Sequence, residues 1–211
     1  MLVGYRRLRE MNIAVLGCGG SIGSHIADLL LNYTSHVTVY DKTLPRLYRL
    51  LHRDFEIAES INEAVSGRDA IIGCTGSCAI GLNEFSRAKD GCVIASASSE
   101  QVEIDVQVLE RLKASSEPFV TSGINGRSTL YRMRPHGKRV VLLNNGYPLN
   151  FAHGGNLDPF PFDLVMALLL AATIELASGK YRGRRGILDV FDEIDERYQL
   201  GESYLNIHRN R

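Results

Sequence analysis

The sequence predicts an α/β protein built on a parallel sheet, and three observations carry that prediction. Short apolar runs of strand length alternate with stretches of helical period, the first run empties into clustered glycines, and the second ends on an acid. The runs are Asn12-Ile13-Ala14-Val15-Leu16 and His36-Val37-Thr38-Val39-Tyr40. Between them lie Gly17-Cys18-Gly19-Gly20-Ser21-Ile22-Gly23 and the helix-like Ser24-His25-Ile26-Ala27-Asp28-Leu29-Leu30-Leu31. Strand, glycine turn, helix, strand and terminal acid form the layout of a dinucleotide-binding βαβ unit. Continued alternation after it extends the sheet into a Rossmann-type, doubly wound fold, with a C-terminal hairpin and a helical extension.

The turn has a physical reading. Glycines at 17 and 19 permit a tight bend and let bare backbone approach a pyrophosphate. Gly20, Ser21, Ile22 and Gly23 carry the chain into a helix start, which offers free N–H groups and a partial positive charge. Asp41 closes the second strand, with Lys42 beside it. Its carboxylate suits the hydroxyls of an adenosine ribose and repels a 2′-phosphate, which favours NAD over NADP. The spacing departs from G-x-G-x-x-G because position 22 is isoleucine. It reads G-x-G-G-x-x-G and also fits the G-x-x-G-x-x-G of short-chain dehydrogenases. Those enzymes use a Tyr-x-x-x-Lys pair, and none of the lysines at 42, 89, 113, 138 and 180 has a tyrosine four residues earlier.

The rest follows in order. Residues 1–11 read as a lead-in helix with a basic face, 12–178 as the core with its hairpin, and 179–211 as a charged helical tail, all in one domain. The stretch 44–51 has helical spacing with Pro45 in its first turn. Phe55-Glu56-Ile57-Ala58 is a candidate edge strand, and Ser60-Ile61-Asn62-Glu63 a capping box that opens a helix. Asp69-Ala70-Ile71-Ile72-Gly73-Cys74-Thr75-Gly76 reads as a buried parallel strand whose small-residue exit lets backbone sit beside a cofactor. A helix over 83–89, a fifth strand over 91–98, a helix over 106–112 and a sixth strand over 118–121 complete the sheet. The hairpin covers 131–143, with His136-Gly137 at its tip. Past the glycine-rich Ala152-His153-Gly154-Gly155-Asn156, a helix over about 162–177 is apolar nearly all round, followed by an amphipathic helix over about 188–200.

Composition excludes several classes. With 24 basic and 24 acidic residues among 211, no global field draws nucleic acid or an anionic membrane. The longest mostly apolar stretch, 164–174, is short of a membrane span. The first ten residues lack the apolar region of a signal peptide, so the expectation is a cytoplasmic protein. Cys18, Cys74, Cys78 and Cys92 fit reduced core residues better than ligands, and no metal is expected. His153 is a candidate proton shuttle. Glu103 and Asp105, flanking a helix start, read as capping and dipole partners.

The pieces Asp69 to Gly76, Val102-Glu103-Ile104-Asp105, the block from Tyr131 through Gly137-Lys138-Arg139-Val140-Val141-Leu142-Leu143 to Leu149-Asn150, and Val165-Met166-Ala167 with Ile174-Glu175-Leu176 stand in the order of one known family. The chain resembles the NAD-binding domain of S-adenosylhomocysteine hydrolase over roughly residues 12–200. The resemblance implies tightly held NAD and oxidation of a nucleoside 3′-hydroxyl, then elimination at C5′, addition of water and return of the hydride. It assigns the turn glycines to the pyrophosphate, Asp41 to the ribose and Thr75 and Gly76 to the exit of strand four. It assigns Asn150 to the nicotinamide carboxamide.

The departures matter too. The glycine turn differs, Ser98-Ser99 replaces a Gly-His pair after strand five, and the family's loop histidine stands farther along than His153. The family's substrate domain precedes its NAD domain, whereas eleven residues precede the first strand here. The implied arrangement is a cofactor half whose small-molecule substrate groups come from a partner protein or a neighbouring subunit, in a homo-oligomer. Two further readings stay open: a non-catalytic NAD-sensing or assembly module, and an independent small NAD-dependent dehydrogenase.

Overall fold

The computed structural model describes residues 8–120, 127–149 and 159–209. The chain divides into two compact units, Met1–Gly154 and Gly155–Arg211, so the boundary expected at 178/179 falls inside the second.

The first unit is the α/β body. Its strands are β1 (Ile13–Leu16), β2 (Val37–Tyr40), β3 (Glu56–Ile57), β4 (Ala70–Gly73), β5 (Cys92–Ser96), β6 (Lys113–Pro118), β7 (Thr129–Met133) and β8 (Lys138–Leu142). They form one sheet in the order β3-β2-β1-β4-β5-β8-β7-β6. Strands β3 through β8 in that order are parallel, and β7 and β6 add antiparallel to β8. The order reverses between β1 and β4, which opens the crevice where such sheets take ligands.

All four residues of β1 are buried, as a central strand covered on both faces requires. Its side chains alternate between two cores. Ala14 and Leu16 join Ile71, Phe85, Ile94, Leu109 and Leu142 in one, while Val15 joins Ala27, Val37, Val39, Leu47 and Leu50 in the other. The helices are α1 (Ser21–Leu30), α2 (Ile61–Val65), α3 (Leu82–Arg87) and α4 (Val106–Leu112). As its sequence predicts, α2 opens with the Ser60 hydroxyl accepting from the Glu63 N–H at 3.2 Å.

Several expectations change. The helix predicted over 44–51 is a 3-10 helix, Leu44–Leu50, with Pro45 in its first turn and no side-chain cap. The sixth strand is Lys113–Pro118, which follows α4 directly and pairs with β7. Of the expected 118–121 it holds Pro118; Phe119 and Val120 are not in a strand, and Thr121 lies outside the described residues. The residues of β6 are mostly polar and, but for Lys113, exposed, because it is an edge strand with no core to bury. An apolar criterion therefore selected the wrong residues downstream. Cys78, expected in the core, is exposed. The hairpin forms as predicted, with Gly137 at φ +69° in its turn. The lead-in segment is a short 3-10 helix, Leu8–Glu10, and residues 1–7 lie outside the described residues.

The second unit holds α5 (Pro159–Ala177), α6 (Phe191–Tyr198) and α7 (Leu200–His208). The amphipathic helix expected over about 188–200 is α6, and Gln199, with a left-handed φ of 51°, separates it from a further helix, α7. The α5 residues Ala171 and Glu175, one turn apart, are buried. The Glu175 carboxylate accepts from Lys180 Nζ at 2.8 Å, from the Tyr181 hydroxyl at 2.5 Å and from Arg197. These donors, Lys180 first, hold its carboxyl below the usual carboxylate range and tie the end of α5 to the following turn and to α6. Within this unit Phe162, Val165, Met166, Leu169, Leu170, Ile174 and Leu176 of α5 remain exposed. No helix among the described residues is long and apolar enough to cross a membrane.

Candidate dinucleotide site

β1 ends at Leu16, and Gly17 turns the chain with φ +89°. The N–H groups of Gly17 and Cys18 both donate to the Tyr40 carbonyl, at 2.7 and 3.2 Å, and this fixes the turn against the end of β2. The Gly20 N–H returns to the Gly17 carbonyl at 3.0 Å. Here the glycines are needed for close approach. A Cβ on Gly17 would stand 2.6 Å from the Cys74 carbonyl oxygen, and one on Gly23 would overlap the Gly17 carbonyl. A Cβ on Gly19 would stand 2.5 Å from Asp41 Oδ2 and 2.7 Å from Arg46 Cβ. The turn is thus pressed between β4, α1 and the segment after β2.

α1 begins at Ser21, and no side chain caps it. The N–H groups of Ser21, Ile22 and Gly23 have no intrahelical acceptor and carry the positive end of the helix dipole. Such a terminus is a ready anion site. Arg49 donates from behind to the Gly19 and Gly20 carbonyls at 2.7 and 3.2 Å. Holding those carbonyls outward turns the following N–H groups the other way.

Asp41 is 7% exposed, and both carboxylate oxygens meet backbone. Oδ2 accepts from the Gly19 N–H at 2.9 Å and Oδ1 from the Thr43 N–H at 2.8 Å. Each oxygen keeps a lone pair for a further donor. A pocket of about 250 Å³ lies here, lined on one side by Tyr40, Asp41, Lys42 and Arg46 and on the other by Thr75 and Ser77. That is below the roughly 300–1,000 Å³ of complete small-molecule sites, so it matches part of a dinucleotide.

The exit of β4 brings Thr75 to this pocket, and Gly76 beside it has φ +69°. Burial pushes the neighbouring Cys74 thiol up to about 12, and the Glu103 carboxylate adds to the rise. Burial raises the Cys18 thiol as well, so both remain protonated near neutral pH and offer no thiolate nucleophile. His25 is exposed, its Nδ1 2.6 Å from the Ser21 carbonyl oxygen. Asp105 caps α4, accepting from the Val108 N–H at 3.0 Å. Glu103 does not cap a helix: it is fully buried and binds the strand-four exit instead. Asn150 and His153 lie outside the described residues.

The structure therefore gathers Gly17, Gly19, Gly20, Ser21, Ile22, Gly23, Asp41, Lys42, Thr75 and Gly76 around the reversal in strand order. Arg46, Arg49 and Glu103 are additional. No local pattern marks the two arginines, since their role depends on a 3-10 helix folding back over the turn. Glu103 carries no separate signal, since it stands among Glu100, Gln101 and Asp105 and reads like its neighbour Asp105 as a capping acid. The uncapped helix start, the glycine cradle and the backbone-held carboxylate at the pocket fit NAD. When bound, NAD supplies a hydride acceptor that no side chain can replace.

Comparisons with known proteins agree. An uncharacterized Mycobacterium tuberculosis protein, MT0113, is 28% identical over 78% of this chain and 30% of its own length. The adenosylhomocysteinase of Thermotoga maritima is 32% identical over 65% of this chain and 33% of its own. That of Sulfolobus acidocaldarius is 26% identical over 90% of this chain and 46% of its own. The chain thus spans less than half the length of these relatives and resembles the NAD-binding part of the adenosylhomocysteinases. The model of the NAD binding domain of 6-phosphogluconate dehydrogenase matches residues 12–133, more than half of the chain, and to that family of NAD-binding domains this chain belongs.

Proposed function

We propose that this chain holds NAD for redox chemistry on a nucleoside-like or polyol small molecule, with a partner protein or neighbouring subunit supplying the substrate groups. The observation that carries the reading is the uncapped start of α1 facing a pocket that Asp41 closes on one side and the β4 exit on the other. In it, the N–H groups of Ser21, Ile22 and Gly23 take the pyrophosphate. The backbone-held Asp41 carboxylate accepts from the adenosine ribose, and Thr75 and Gly76 border the cofactor across the crevice. Likeness to the adenosylhomocysteinases supports the nucleoside class. The test is optical: purified protein saturated with NAD is mixed with adenosine and followed at the NADH absorbance band. Growth of that band in proportion to protein supports the reading. A cofactor that stays oxidised with adenosine and other nucleosides, both for the purified protein and after cell extract is added to supply candidate partners, overturns it in favour of an NAD-sensing or assembly module.

Self-association belongs to the same proposal. Seven exposed large apolar side chains on α5 make a surface that a lone soluble unit rarely leaves bare. The expected result of light scattering at micromolar concentration is a dimer or larger, weakened by Leu169→Asp. A wild type running at 23.4 kDa would show that the chain is a monomer.

A further inference from the structure

Glu103 is a buried acid that the site as described does not use. It is fully buried, and no lysine or arginine pairs with it among the described residues. Its donors all come from one place. The Gly76 N–H donates to Oε1 at 2.5 Å, and the Thr75 hydroxyl donates to Oε2 at 2.9 Å. Its backbone carbonyl accepts from the N–H groups of Ala79 and Ile80 at 2.9 and 3.0 Å. One residue after β5 therefore grips the whole segment 75–80 that leaves β4.

The surroundings are shaped for this contact. A Cβ on Gly73 would stand 2.8 Å from Oε2, so glycine at the end of β4 clears room for the carboxylate. Thr75 in turn receives the Ser77 N–H at 3.1 Å, which passes the constraint along the loop. Thr75 and Ser77 are themselves exposed and line the pocket. An exposed loop with Gly76 at positive φ has many conformations open to it, and binding one of them alone costs ordering entropy.

We propose that Glu103 is a positioning residue for the dinucleotide: its buried carboxylate fixes the Thr75–Gly76 backbone in the conformation that borders the cofactor. This rests on the dinucleotide reading of the pocket. The requirement is reach and acceptor capacity rather than charge. A glutamine places a carbonyl oxygen against the Gly76 N–H and an amide N–H against Thr75 Oγ1. The threonine hydroxyl then donates to the Ser77 carbonyl, already 2.8 Å away. An aspartate keeps the charge but is one methylene short of Gly76.

The test titrates NAD into the full chain by calorimetry, for wild type, Glu103→Gln and Glu103→Asp, with thermal melts of each free protein. The expected result is a glutamine variant within about threefold of wild type and an aspartate variant weaker by about tenfold, the effect of leaving a buried donor unmet. Equal affinity for Glu103→Asp and wild type overturns the proposal, as does a glutamine variant as weak as the aspartate one. If Glu103→Asp lacks a cooperative melt, Gly73→Ala decides instead. It presses on the same oxygen with Glu103 intact, and unchanged affinity there is equally fatal. A wild type that takes up no NAD overturns the dinucleotide reading and this proposal with it, whereas a binding wild type with insensitive variants overturns this proposal alone.

Discussion

Gly19→Val is expected to abolish NAD binding and leave a folded protein. The added Cβ alone falls 2.5 Å from Asp41 Oδ2 and 2.7 Å from Arg46 Cβ, closer than real side chains approach. Valine adds two methyls to that collision. What must yield is the end of one side chain and the stem of another, not a core strand, and Gly19 does not have the positive φ of Gly17. The fold therefore persists with a displaced Asp41. The Gly19 N–H loses its carboxylate acceptor, and the branched side chain stands where bare backbone must meet the pyrophosphate. A loss of at least roughly a hundredfold, about 2.7 kcal/mol, is expected. Gel filtration of the NAD-loaded protein, beside circular dichroism of the same sample, gives the answer. A folded variant that carries cofactor through the column would place the phosphate site elsewhere.

The second large effect is at Asp41. Asp41→Ala should weaken NAD by about 1.5–3 kcal/mol, the worth of a hydrogen bond to a charged group, measured by calorimetry. The structure gives this residue two tasks. It presents free lone pairs toward the pocket, and it fixes the Gly19 and Thr43 N–H groups at 2.9 and 2.8 Å. Its removal also leaves Lys42 and Arg46 as the charged side chains on that side of the pocket. The preference for NAD over NADP should therefore narrow in the same variant, because the 2′-phosphate no longer faces a carboxylate. An unchanged dissociation constant for NAD would remove Asp41 from the site.

The sequence determined a great deal by local rules. The apolar run of β1, the glycines after it and the acid closing β2 are near-neighbour features. A parallel strand buried on both faces has to be a short apolar run, and only glycine allows the approach distances found at positions 17 and 23. The hairpin and the Ser60 cap were legible for the same reason, since each is a contact between residues a few positions apart. The edge strand β6 was not, because solvent rather than a core faces it, and its polar residues carry no period.

What only the tertiary structure decided were contacts across long separations. Asp41 reaches back to Gly19, Arg49 to the Gly19 and Gly20 carbonyls, and Glu103 to Thr75 and Gly76. A buried acid and a capping acid look alike in sequence. Asp105 satisfies an N–H three residues ahead, whereas Glu103 satisfies one 27 residues behind, and the pairing of β4 with β5 brings that partner within reach. Burial then makes the difference physical, since a carboxylate removed from water must find its donors in the chain, and the chain supplied them at the edge of the cofactor pocket.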